Sequence, residues 1–113
     1  MKILIVDDND DTREMLSFYL QDKGFEVFLA ENGQKALEVL EKNMVDLVLT
    51  DVDMPIMDGM QLLISIKKKY KITVYVATGG TKYSKEDFLK QGASAYFEKP
   101  FDIDFLLSQK IVG

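Results

Sequence analysis

Four places in the chain put reactive polar side chains directly or closely after a short apolar run. Asp7 and Asp8 follow Ile3-Leu4-Ile5-Val6, Asp51 follows Leu47-Val48-Leu49 after one threonine, Thr78 follows Val74-Tyr75-Val76-Ala77, and Lys99 stands just past Ala95-Tyr96-Phe97. Each alone has a plain structural explanation: Asp8, Asn9 or Asp10 caps a helix, Thr78 ends a strand, and Lys99 is a solvated charge. Together they acquire a chemistry. Three carboxylates crowded at one place repel one another and raise each other's pKa unless a cation neutralises them. Oxygen-only ligands at that density suit Mg²⁺, with Mn²⁺ possible. A calcium EF-hand does not fit, because the acidic run from Asp7 lacks the glycine at loop position six and the later glutamate. The sequence holds no cysteine and no histidine, which removes disulfides, thiolate sites, the usual zinc ligand and the usual general base. Chemistry here rests on carboxylates, lysine and hydroxyls.

The elements that must bring these residues together are legible in the hydrophobic pattern. Continuous apolar runs at Ile3 to Val6, Val27 to Ala30, Leu47 to Leu49, Val74 to Ala77 and Ala95 to Phe97 predict five strands buried on both faces. Between them, apolar residues recur at helical spacing: Met15, Leu16, Tyr19 and Leu20, then Ala36, Leu37 and Leu40, then Met60, Leu63 and Ile64. Gly24 and Gly92 are placed to end helices, Ser84 with Asp87 three residues on is placed to cap a short one, and a last helix should start near Asp102. Strict alternation of strand and helix implies one doubly wound α/β domain over residues 1–113, with a parallel sheet and right-handed crossovers. In such sheets ligands bind outside the carboxyl ends of the strands, where strand order reverses. All the residues singled out above stand at that edge.

Composition narrows the function classes. The chain has 113 residues, enough for a single compact unit. Nineteen acidic residues against fourteen basic ones give a net charge of −5, which opposes direct binding to nucleic acid or an anionic membrane. The apolar run that ends at Val6 is too short for a signal-peptide core or a membrane span, so a cytoplasmic location is expected.

The run Asp51-Val52-Asp53-Met54-Pro55-Ile56-Met57-Asp58-Gly59, with Val6-Asp7-Asp8, Ala77-Thr78-Gly79 and Lys99-Pro100-Phe101, resembles the receiver domain of bacterial two-component response regulators over essentially the whole chain. The resemblance implies a flavodoxin-like sheet of strand order 2-1-3-4-5. It also implies that Asp51 accepts a phosphoryl group from a histidine kinase or histidine phosphotransfer protein, and that the domain is a signalling switch and not an enzyme with a product. Asp8 corresponds to the direct Mg²⁺ ligand and Asp7 to its water-mediated neighbour, with Asp51 and the backbone carbonyl of Asp53 completing the set. Thr78 and Lys99 take the places of the groups that meet the phosphoryl oxygens, and the bond before Pro100 is commonly cis in the family.

Tyr96 takes the place of the family's aromatic switch residue, although an aromatic on a strand is by default core. The readout is then a binding face of the fourth helix, fifth strand and fifth helix, here about Ser84 to Lys110. It would serve an effector protein or a fused output domain outside these residues, as a monomer or a phosphorylation-dependent dimer. Gly79 and Gly80 depart from the family pattern after the hydroxyl residue and give that loop extra backbone freedom.

Two other classes compete. Asp51-x-Asp53 after a strand also resembles the nucleophile motif of haloacid-dehalogenase-type phosphatases, which would make the protein a small aspartate-nucleophile phosphatase. That family places the motif after its first strand and uses a longer chain with a cap. A flavin module on the same fold needs a Ser/Thr/Gly-rich phosphate loop where this chain has Asp7-Asp8-Asn9-Asp10-Asp11, whose charge repels a phosphate.

Overall fold

A computed structural model describes residues 1–108. Strand and helix alternate throughout: β1 (Lys2–Val6), α1 (Asp10–Asp22), β2 (Glu26–Ala30), α2 (Gly33–Lys42), β3 (Leu47–Thr50), α3 (Gly59–Lys69), β4 (Thr73–Thr78), α4 (Lys85–Lys90), β5 (Ala95–Glu98) and α5 (Ile103–Ser108). The strands form one parallel sheet in the order β2-β1-β3-β4-β5, as the resemblance implied.

Period-two alternation sorts the strand side chains onto two faces. Leu4, Val6, Val48, Val74 and Val76 point to the side covered by α2, α3 and α4, where Ala36, Leu40, Leu63, Ile66 and Phe88 meet them. Ile3, Ile5, Leu47, Leu49, Tyr75 and Ala77 point to the other side and pack under Leu16 and Leu20 of α1 and Leu106 of α5. Each fully buried aliphatic side chain of this kind stabilises the fold by about 1.5–3 kcal/mol relative to its exposure.

The expectation of five fully buried strands holds for β3 and β4 and for β1 beyond Lys2. It fails at β2, where Val27 and Phe28 are half-buried and Leu29 is exposed, and at β5, where Ala95 and Tyr96 are half-buried. Both lie at the edges of the sheet, where each pairs with one strand only among the described residues. In α1, Leu16 and Leu20 are buried as expected, but Met15 and Tyr19 are exposed. A helix seated on one sheet face buries a stripe, and these two fall at its rim.

The punctuation reads as the sequence suggests. Gly24 and Gly92 follow the C-caps of α1 and α4 at φ of 93° and 102°, a conformation in which an L side chain is strained. Ser84 and Asp87 form a reciprocal capping box at α4. Asn9, among the three residues considered for capping α1, is its N-cap, accepting from the Thr12 N–H at 2.9 Å. Of the proposed output face, residues 109 and 110 lie outside the described residues.

Candidate functional site

Backbone hydrogen bonds just past the strands place the reactive residues. The Asp7 N–H donates to Ala30 O at 3.1 Å, that of Asp51 to Val6 O at 2.8 Å and that of Lys99 to Thr78 O at 2.8 Å. Each residue is therefore held in register by the strand beside it. The Lys99–Pro100 peptide bond is cis. Behind Asp51, the chain turns into α3 through Gly59, whose N–H donates to Val52 O at 2.8 Å. A Cβ at Gly59 would stand 2.3 Å from the carbonyl oxygen of Asp51, so only glycine lets the helix start this close to that residue.

The carboxylates of Asp7, Asp8 and Asp51 converge, with one oxygen from each lying within 4.8 Å of the others. Lys99 completes the cluster: its Nζ is 3.1 Å from Asp7 Oδ2 and 3.2 Å from Asp51 Oδ1. Asp7 is buried, Asp51 half-buried and Asp8 exposed. Asp7 is also the most committed of the three, since its other oxygen accepts from the Asn9 N–H at 2.9 Å.

Burial holds the Asp51 carboxyl above its ordinary pKa, and the charge of Asp7 adds to this, while the Val52 N–H and Lys99 work against it. Burial alone would lower the pKa of Lys99. The hydrogen bond to Asp7 and the charges of Asp51 and Asp7 outweigh that and raise it. The site is thus a lysine clasped between two carboxylates beside a third that is open to solvent.

The fit to a divalent cation follows from the donor set. Every side-chain candidate ligand is a carboxylate oxygen, which selects a hard cation over a thiophilic one. Asp8, exposed and outside the lysine clasp, is the ligand most available to such an ion.

The other sequence candidates have side-chain partners outside the cluster. Thr78 is buried at the end of β4, and its Oγ1 accepts from the Gly80 N–H at 3.1 Å. The Asp53 side chain is exposed and accepts from the Thr81 hydroxyl at 3.3 Å. Tyr96 is half-buried on β5, its ring 5.7 Å from that of Phe88.

Two participants escaped sequence reasoning. Arg13 donates from Nη1 to the Asp7 carbonyl at 2.5 Å and pairs through Nη2 with Asp10, bracing the β1–α1 turn. Its spacing of three from Asp10 on a helix was the available signal. Tyr83 donates to Asp58 Oδ2 at 3.0 Å across two loops, a contact with no local signature.

A model of the response regulator receiver domain matches residues 3–110. The chain belongs to that family. Sporulation initiation phosphotransferase F of Bacillus subtilis is 38% identical over 106 residues, covering 91% of this chain and 85% of the relative. A 14.6 kDa protein encoded beside sodA1 in Leptolyngbya boryana is 39% identical over 106 residues, covering 90% and 81%.

Among solved structures, the chemotaxis protein CheY4 of Vibrio cholerae superposes with a TM-score of 0.87 at 33% identity, covering 98% of each chain. The response regulator TrrA of Thermotoga maritima, solved in complex with Mg²⁺ and BeF, gives 0.84 at 34% identity, covering 94% and 92%. Other relatives are longer: the chain spans 29% of a Thermotoga maritima cyclic di-GMP phosphodiesterase and 42% of the Staphylococcus aureus transcriptional regulator SrrA. This receiver domain is a two-component signalling module of a family whose members bind Mg²⁺ and act as switches, and its acidic cluster is consistent with that cation.

Proposed function

We propose that Asp51 is the phosphoacceptor of a phosphorylation-dependent switch, charged by a histidine kinase or histidine phosphotransfer protein. The observation that carries this reading is the convergence of Asp7, Asp8 and Asp51 with Lys99 clasped between two of them. In the transfer, the N–P bond of a phosphohistidine breaks as an Asp51 Oδ–P bond forms, and the imidazole nitrogen keeps the electron pair. Charge spreads over the three equatorial oxygens of the moving group, so positioning and neutralisation are most of the catalysis.

Asp8, Asp7, Asp51 and the Asp53 carbonyl would hold Mg²⁺, or Mn²⁺ in its place. When bound, the cation supplies charge neutralisation at the phosphoryl oxygens. Lys99 is freed from its carboxylate partners to hold one phosphoryl oxygen, and its compact ammonium suits that task. The Thr78 hydroxyl, which accepts from the Gly80 N–H, donates its own proton to another phosphoryl oxygen. This draws the β4–α4 loop inward and allows Tyr96 to change rotamer at the output face, which serves an effector or a fused domain. No membrane-spanning helix is present among the described residues, and a cytoplasmic setting accords with a kinase-charged switch.

Incubation with acetyl phosphate and Mg²⁺ should add one phosphoryl group by intact mass, labile to hydroxylamine and absent from Asp51→Asn. Full labelling of Asp51→Asn contradicts the assignment. Steady turnover of simple phosphate esters by the wild type favours the phosphatase alternative instead.

A further inference from the structure

We propose that Tyr83 is the positioning residue that keeps the β4–α4 loop, and Thr78 with it, in the resting arrangement, through the hydrogen bond that its hydroxyl donates to Asp58. This deepens the switch reading and rests on it. The start of the loop has little packing of its own: Gly79 and Gly80 are exposed, and a Cβ built on either meets nothing within 4 Å. Beyond the glycines it is held by the packing of the Tyr83 ring and by the bonds that cross to the β3–α3 loop.

Among the described residues, two such bonds join the loops. Thr81 to Asp53, at 3.3 Å, ends on an exposed carboxylate. Tyr83 to Asp58, at 3.0 Å, joins two half-buried residues, and its acceptor is fixed in place. Asp58 is the N-cap of α3: its Oδ1 accepts from the Gln61 N–H at 2.8 Å, while Gln61 Oε1 accepts from the Asp58 N–H at 3.0 Å. The next residue is Gly59, which lies against the backbone of Asp51. One carboxylate thus ties the loop after β4 to the helix that starts behind the phosphoacceptor.

The other side of Tyr83 leads to the output face. Its ring packs edge-on against Phe88 of α4 at 5.6 Å, and Phe88 packs against Tyr96 of β5 at 5.7 Å. Moving the loop so that Thr78 reaches a phosphoryl group displaces Tyr83 relative to Asp58. A bond made only in the resting state opposes that movement, and its loss shifts the population toward the phosphoryl-favoured state. By linkage, a phosphoryl mimic then binds more tightly.

Tyr83→Phe removes the hydroxyl and keeps the ring. Titration with beryllofluoride and Mg²⁺, followed by NMR, should show apparent affinity raised about three- to tenfold over wild type. Without the mimic, the Phe88 and Tyr96 signals of the variant should lie displaced from the wild-type free positions toward the wild-type bound ones. Asp58→Ser retains an N-capping oxygen but removes the one that Tyr83 uses, should act in the same direction, and should add little to Tyr83→Phe.

Wild-type affinity in Tyr83→Phe, with shifts confined to Tyr83 and Asp58, overturns the proposal. So do fully additive effects in the double variant. If the wild-type Phe88 and Tyr96 signals ignore the mimic, the switch reading falls as well. A responsive wild type with an indifferent Tyr83→Phe overturns the lock alone.

Discussion

At the scale of single residues, the site stores an electrostatic conflict. Asp51 carries a pKa raised above its ordinary value of 3.8, chiefly because burial disfavours its charged form. Between 3.8 and the raised value the native state binds more protons than the unfolded state, so stability falls as pH rises through that window and stays lower above it. Asp51→Asn, a neutral isostere, should therefore be more stable than wild type at pH 7 in metal-free buffer, with the difference vanishing below about pH 3.8. Thermal melts across pH check this, and a less stable variant at pH 7 under those conditions contradicts it. Saturating Mg²⁺ should narrow or reverse the gap, because a cation bound by the native wild type stabilises it by mass action.

A second residue-scale cost lies in the core. The Tyr75 hydroxyl is buried and has no hydrogen-bond partner among the described residues. Tyr75→Phe should stabilise the domain by about 1–2 kcal/mol in chemical denaturation, given the cost of an unsatisfied buried donor. A loss of stability would mean that the hydroxyl is satisfied.

At the scale of elements, what could be read in the sequence was whatever has a local or periodic cause. The runs that became β1, β3 and β4, the capping box of Ser84 and Asp87, and the glycines after α1 and α4 all act through neighbours within a few residues. The exposed rim of α1 and the half-buried edge strands were not legible, because hydrophobic period reports which residues share a face and not how wide a surface will cover it. The same limit applies to the site. Asp7, Asp8, Asp51 and Lys99 could be placed because strand ends in a parallel sheet share an edge. Tyr83 and Asp58, 25 residues apart, meet only through loop geometry.

One element carries visible strain. Ile56, exposed in the β3–α3 loop, adopts φ of 72°, which disfavours a β-branched side chain. Ile56→Asn should raise stability by about 0.5–1 kcal/mol without changing phosphorylation, since Asn tolerates that conformation. An unchanged or lower melting temperature contradicts the strain assigned to this turn.

At the scale of the whole molecule, the order 2-1-3-4-5 explains why these residues share a site although they lie up to 92 positions apart. β1 and β3 are neighbours at the centre, so Asp7 and Asp51 emerge side by side. β4 and β5 extend the same edge, which brings Lys99 back to both carboxylates and sets Thr78 one strand away. The helices on each face bury the three central strands but leave that edge open. That edge and the α4–β5 region are joined by elements that already touch, β4 pairing with β5 and Phe88 of α4 packing against Tyr96.

The most direct measurement identifies the phosphorylated atom's own residue. Treating the acetyl-phosphate-labelled protein with borohydride converts an aspartyl phosphate to homoserine, which peptide mass spectrometry locates. Homoserine at position 51, formed only with Mg²⁺ or Mn²⁺ present, is the expected result. Homoserine at Asp7, Asp8 or Asp53 in place of Asp51, or labelling indifferent to the metal, would contradict it.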